Sequence, residues 1–104
     1  MSRFTLDRDV PGDLDEIWNY VGIEKNNPTA AIRQIEMLRE KFLLLAKHPL
    51  LGELREDFGA DVRTLVAERY LILYRAKSYG VEIIQVVHSA RDFSVAIRRK
   101  PPKS

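Results

Sequence analysis

The chain has 104 residues, a length that fits one domain with one core and little spare area for a deep pocket. Hydrophobic residues at 45% and charged residues at 31% exclude a disordered chain, and the absence of cysteine excludes disulfide staples and thiolate chemistry and fits a reducing cytoplasm. The net charge of +2 conceals a gradient: residues 1–28 are net −3, whereas residues 69–104 carry 8 basic and 2 acidic side chains, net +6, a basic end suited to nucleic acid or an acidic partner.

Arg3 to Asp7 alternates polar and apolar residues, as a short half-buried strand does. Pro11-Gly12 then breaks the pattern; proline is acceptable in a first helical turn, where its missing N–H has no partner to lose, and a helix is expected to follow. Leu14, Ile17, Trp18 and Val21 fall at i, i+3, i+4 and i+7 and form its apolar stripe, with Asp13, Asp15 and Glu16 at the end where the helix dipole favours negative charge. Gly22 to Asn26 ends this helix. Asn27-Pro28 supplies a cap and an N1 proline for a second, longer helix, whose stripe is Ile32, Ile35, Leu38, Phe42 and Leu45. Arg33–Glu36 and Glu36–Arg39 are opposite-sign i, i+3 pairs on its outer face. Pro49 stops it near Lys47 or His48, and the two helices should lie antiparallel.

Leu50 to Asp61 reads as loop, and its carboxylates, Glu53, Glu56, Asp57 and Asp61, as a solvated acidic face. The period then changes to two. Val62 to Ala67, Tyr70 to Ala76 and Val81 to His88 read as three strands joined by tight turns at Glu68-Arg69 and Lys77 to Gly80, an antiparallel meander. Leu71, Ile72, Leu73, Ile83 and Ile84 are apolar on both faces, while a helical hairpin covers only one, so the central strands are expected to be covered on both sides. Arg91 to Ile97 reads as a short terminal helix and residues 98–104 as a basic mobile tail. The fold class is therefore α+β, β-α-α-β-β-β with one domain over residues 1–97. No apolar run approaches the roughly 20 residues that cross a bilayer, and Met1 to Val10 lacks a signal-peptide core.

Few residues invite catalytic chemistry. His88 and Ser89 are adjacent on a strand and point to opposite faces, which suits no nucleophile–base dyad. His88 either closes the sheet by hydrogen bonding to backbone or Asp92, or serves as acid/base or phosphate contact. Arg69, Tyr70, Tyr74, Arg75 and Arg91 group around it in the pattern that suits RNA or a protein interface. Tyr70 and Tyr74 share a face with Ile72 and also read as core tyrosines with hydroxyls at the rim. No metal-spaced cluster, phosphate loop or cofactor motif is present.

Four motifs together resemble the ParE family of the ParE/RelE toxin superfamily. Asp13-Leu14-Asp15-Glu16-Ile17-Trp18-Asn19-Tyr20-Val21 is similar to its first-helix motif, and His48-Pro49-Leu50-Leu51-Gly52 to its His-Pro-x-x-Gly helix end. Arg69-Tyr70-Leu71-Ile72-Leu73-Tyr74-Arg75 looks like the family's central strand, and the run Val81 to Asp92 like its last strand with a His-x-x-Arg-Asp ending. Glu68 stands where the family often has glycine. The resemblance implies a RelE/ParE-type fold and a type II toxin neutralised by a ParD-like antitoxin. ParE-like members are associated with inhibition of DNA gyrase, and RelE-like relatives cleave ribosome-bound mRNA. For that second activity the chain offers Arg69, Tyr74, His88 and Arg91 but no dense basic set, which favours the gyrase-type, non-enzymatic reading. A degenerate, non-toxic antitoxin-binding member is the third alternative. The expected contact residues are Arg69, Tyr70, Tyr74, Arg75, His88, Arg91, Arg98 and Arg99, with no metal or cofactor and no membrane partner.

Overall fold

A computed structural model describes residues 2–88. The expected helix over 91–97, the tail over 98–104 and the side chains of Ser89, Arg91, Asp92, Arg98 and Arg99 lie outside the described residues. Strand β1 (Arg3–Leu6) leads into helix α1 (Val10–Ile17), which continues as a π-helical segment (Trp18–Glu24) before helix α2 (Pro28–Lys47). Strands β2 (Glu53–Leu54), β3 (Val62–Ala67), β4 (Tyr70–Lys77) and β5 (Gly80–His88) follow, with a 3₁₀ turn at Glu56–Phe58. The sheet order is β1-β5-β4-β3-β2. The meander β3-β4-β5 is antiparallel as expected, and β1 joins β5 in parallel, making the sheet mixed.

Helix α1 opens at Val10, with Pro11 in its first turn, where a missing N–H has no helical partner to lose. Asn27 caps α2 as expected, its side chain accepting from the Ala30 N–H at 3.1 Å. Leu38, Phe42 and Leu45 are buried as expected, and Ile35 is half-buried. Ile32 is not core: it is 50% exposed, and Ala31 and Gln34 are buried instead. The cause is the periodicity of α2 itself: at 3.6 residues per turn Ala31 falls within roughly 20° of Leu38 around the helix, whereas Ile32 lies about 120° away. Ala31 packs where Gly22 and Trp18 approach it closely. In the first helix Ile17 is buried, while Leu14, Trp18 and Val21 are half-buried.

The segment 50–61 is not all loop, since Glu53 and Leu54 pair with Thr64 and Arg63 and close the sheet's far edge. On the helix-covered face, Tyr70, Ile72 and Tyr74 of β4 join Val81, Ile83 and Val86 of β5 and the α2 stripe in the main core. Between Leu73 and Tyr74 the β4–β5 register shifts: Leu73 pairs with Gln85 and Tyr74 with Ile83, leaving Ile84 as the bulged residue. Ile84 consequently joins Val62, Leu71, Leu73 and Val87 in a second buried cluster on the other face, with Phe58 packed at its margin. Both faces of the central strands are thus buried, as their apolar sequence requires.

Two tethers fix α1 and β1 on the sheet. Asp13, read from sequence as complementing the helix dipole, is buried, and its Oδ2 accepts the Val86 N–H at 3.1 Å. Gly80 takes a left-handed φ of +142°, and a Cβ there would lie 2.0 Å from the Arg3 carbonyl oxygen, so only glycine lets β1 approach β5 this closely.

Candidate functional site

The loop end of the helical hairpin stands over the β3–β4 turn, and a cleft of about 560 Å³ opens between them. The π-helical segment supplies Tyr20 and Val21 to one wall. Its wide turn is closed by the Lys25 N–H donating to the Tyr20 carbonyl at 2.9 Å, which brings Lys25 back beside Tyr20. Asn26 takes a left-handed φ of +52° and turns the chain into Asn27 and α2. The first turns of α2 then present Ala30, Arg33 and Gln34, the β3–β4 turn presents Glu68 and Arg69, and the end of β5 presents His88.

An aromatic row lies along the cleft. The His88 ring is 5.8 Å from Tyr20 and 5.3 Å from Tyr70, tilted by 52° and 46°. Tyr20 is exposed, and the Lys25 ammonium sits 5.3 Å from its ring centroid. Tyr70 is buried and donates its hydroxyl to the Gln34 side-chain carbonyl, so a buried donor and a buried acceptor satisfy each other at the cleft floor. Burial pushes the Tyr70 phenol above its ordinary value, opposed by the positive charge of Arg69 and reinforced by the negative charge of Glu68. Lys25, Arg33 and Arg69 all face solvent at this cleft, against one carboxylate among the described residues, Glu68. Arg33 and Arg69 make no ion pair among the described residues; neither i, i+3 pair expected on α2 closes.

The structure brings Arg69, Tyr70 and His88 of the expected residues together. It places Tyr74 and Arg75 elsewhere. Tyr74 is fully buried near the opposite end of β4, where its hydroxyl accepts the Gly52 N–H and donates to the Pro49 carbonyl, both at 2.8 Å. Burial raises its phenol, while the Gly52 bond and Arg63 act the other way. Arg75 donates from Nε to the Ala60 carbonyl at 2.8 Å. The His-Pro-x-x-Gly run is thereby explained: Pro49 and Gly52 hold the Tyr74 hydroxyl, and a Cβ on Gly52 would lie 2.7 Å from both that hydroxyl and the Thr64 carbonyl. Tyr20, Lys25, Arg33 and Gln34 were not among the expected contacts. Each is unremarkable in its own helix, and they meet Arg69 and His88 only through the tertiary fold. No group of three or more metal-ligating side chains occurs among the described residues, and none of their helices is long and apolar enough to cross a membrane.

This architecture, a helical hairpin on one face of a five-stranded mixed sheet, is the fold of a small RelE/ParE-like toxin. A chain from the chromosomal ParDE TA system from P. aeruginosa shares it, with a TM-score of 0.70 at 22% identity over 85% of this chain and 96% of that one. Residues 5–93 match the family model of the ParE toxin of type II toxin-antitoxin system, parDE. Toxin ParE1 of Caulobacter vibrioides is 31% identical over 94 residues, covering 86% of this chain and 92% of that toxin. The chain belongs to the ParE toxin family of type II toxin–antitoxin systems.

Proposed function

We propose that the chain acts by binding DNA gyrase and that a ParD-like antitoxin neutralises it. The observation that carries the non-enzymatic reading is the position of Tyr74. RNA cleavage by Tyr74, His88 and Arg91 requires them at one place. His88 pairs with Tyr70, and Tyr74 lies four residues further along β4, roughly 13 Å away at strand rise. Tyr74 is also buried with both hydroxyl bonds taken up by backbone. A phenol held in that way packs the core and has no access to a phosphodiester. Tyr70 contributes to the same face through packing, and Arg69 and His88 are the surface contacts.

An antitoxin segment has apolar surface to cover. Leu43 and Leu44 at the end of α2, Leu50 and Leu51 in the following loop and Leu54 on the edge strand are all exposed, Leu50 by 70%. An amphipathic segment with acidic residues matches this surface and the basic end of the chain. The decisive experiment is a supercoiling assay with purified gyrase. Inhibition that rises with toxin and is relieved by the co-encoded antitoxin is expected. Normal supercoiling at saturating, folded toxin removes the gyrase assignment.

A further inference from the structure

We propose that the cleft between the helical hairpin and the β3–β4 turn is a binding site for a nucleoside phosphate, either a free nucleotide or the 5′-phosphorylated end of a nucleic-acid strand. This inference does not depend on which macromolecule the toxin acts on. Its volume of about 560 Å³ lies within the roughly 300–1,000 Å³ typical of small-molecule sites. Two kinds of recognition converge in it. Arg33 on α2 and Arg69 in the β3–β4 turn approach from opposite walls, and neither is neutralised by an ion pair among the described residues. Two guanidinium groups lining one concave surface suit the oxygens of a phosphate group.

The second element is the exposed face of Tyr20 beside His88, a platform for a planar base. Lys25 rests over that face at 5.3 Å from the ring centroid. An exposed contact of this type is weak, about 0.5–1 kcal/mol. A base entering the cleft displaces the Lys25 ammonium, whose flexible stem then carries it toward the phosphates. Glu68, the single carboxylate among the described lining residues, repels phosphate but accepts from an exocyclic amino group, which orients the ligand with its phosphates away from the turn's acidic residue. An acidic peptide would use the arginines and leave the aromatic platform idle, so the combined wall favours a nucleotide.

The test is isothermal titration of the purified full chain with ADP, adenosine, inorganic phosphate, and a trinucleotide with and without a 5′-phosphate. ADP or the 5′-phosphorylated trinucleotide is expected to saturate with a Kd of roughly 0.1 mM, and adenosine and phosphate alone to bind at least about tenfold more weakly. The tighter of the first two identifies the source. Arg33→Ala and Arg69→Ala should each weaken binding roughly tenfold. Tyr20→Phe should preserve it and Tyr20→Leu reduce it. Arg39→Ala, which removes the same charge from α2 outside the cleft, should leave it unchanged, and Glu68→Gln should tighten it. Failure of both phosphorylated ligands to saturate at millimolar concentration overturns the proposal. So does a loss in Arg39→Ala equal to that in Arg69→Ala, which would mean attraction by overall charge alone.

Discussion

Tyr70 and Tyr74 stand four residues apart on one face of β4, both buried, yet the two ends of the strand they mark are built for different purposes. At the Tyr74 end the hydroxyl is held by the backbone of residues 49 and 52, and a glycine permits the approach. At the Tyr70 end the hydroxyl meets a side chain, Gln34, and beyond it the structure opens into a cleft whose arginines make no ion pair among the described residues. The same residue type is sealed in one place and borders a site in the other. Backbone partners fix geometry irrespective of side-chain motion, whereas a side-chain partner next to solvent leaves the wall free to adapt.

The largest expected effect breaks the sealed end. In Gly52→Ala the new methyl group meets backbone oxygen and phenol at 2.7 Å. Overpacking costs about 1–3 kcal/mol, and loss of the Tyr74 bond adds about 1. The sum shifts the thermal midpoint by roughly 4–8 °C per kcal/mol, which calorimetry of the variant would read. The cleft should keep its ligand affinity, because Gly52 lies at the other end of β4.

Next comes alkaline pH. Burial raises both phenols above the ordinary value of 10.0. Below that pH both folded and unfolded chains hold the protons, and this contribution is fully present. Above it the unfolded chain ionises first, so stability falls as pH rises, by about 1.4 kcal/mol per pH unit for each tyrosine still protonated in the fold. Denaturant midpoints measured upward from pH 10 should decline with that slope, and Tyr70→Phe or Tyr74→Phe should each remove one proton's share. A midpoint independent of pH there contradicts the burial of both rings.

The same two variants at neutral pH compare the ends directly. Tyr74→Phe strands the Gly52 N–H in a buried setting, at a cost of about 1–3 kcal/mol. Tyr70→Phe strands the Gln34 amide, but Gln34 lines the cleft and water can reach it there. Tyr74→Phe should therefore lower the melting temperature more than Tyr70→Phe. Equal losses would mean that the cleft floor is as dry as the sealed end.

What could be read from the sequence divides along similar lines. The Asn27-Pro28 cap, the Glu68-Arg69 turn and the three meander strands are set by residues within a few positions of one another, so they were legible. The parallel seat of β1 on β5 and the burial of Asp13 depend on contacts more than seventy residues distant, and the bulge at Ile84 on the register across the β4–β5 hairpin; none of these was legible. The burial of Ala31 in place of Ile32 follows from the 3.6-residue stripe through Leu38, Phe42 and Leu45, which the larger apolar residue at position 32 masked. Of the cleft, Arg69 and His88 could be nominated because they flank strand ends in an aromatic and basic context. Tyr20, Lys25 and Arg33 come from other segments, and only the folded hairpin sets them opposite the turn.

Glu68 offers the smallest and most discriminating change. It occupies the first position of the two-residue β3–β4 turn with φ at +53°, a left-handed conformation that strains any residue with a Cβ. The strain is about 1–2 kcal/mol, and glycine relieves it while adding roughly 0.5–1 kcal/mol of unfolded-chain entropy to be overcome. Glu68→Gly should therefore stabilise the fold by no more than about 1 kcal/mol. The same substitution removes the one carboxylate among the described lining residues, and phosphate-bearing ligands should bind more tightly even if stability is unchanged, because the lost repulsion of the phosphates outweighs the lost bond to the base. A variant that gains stability and loses ligand affinity would show that the bond from Glu68 to the base outweighs its repulsion of phosphate. That outcome would redraw the cleft's polarity while leaving the sealed end of β4 as described.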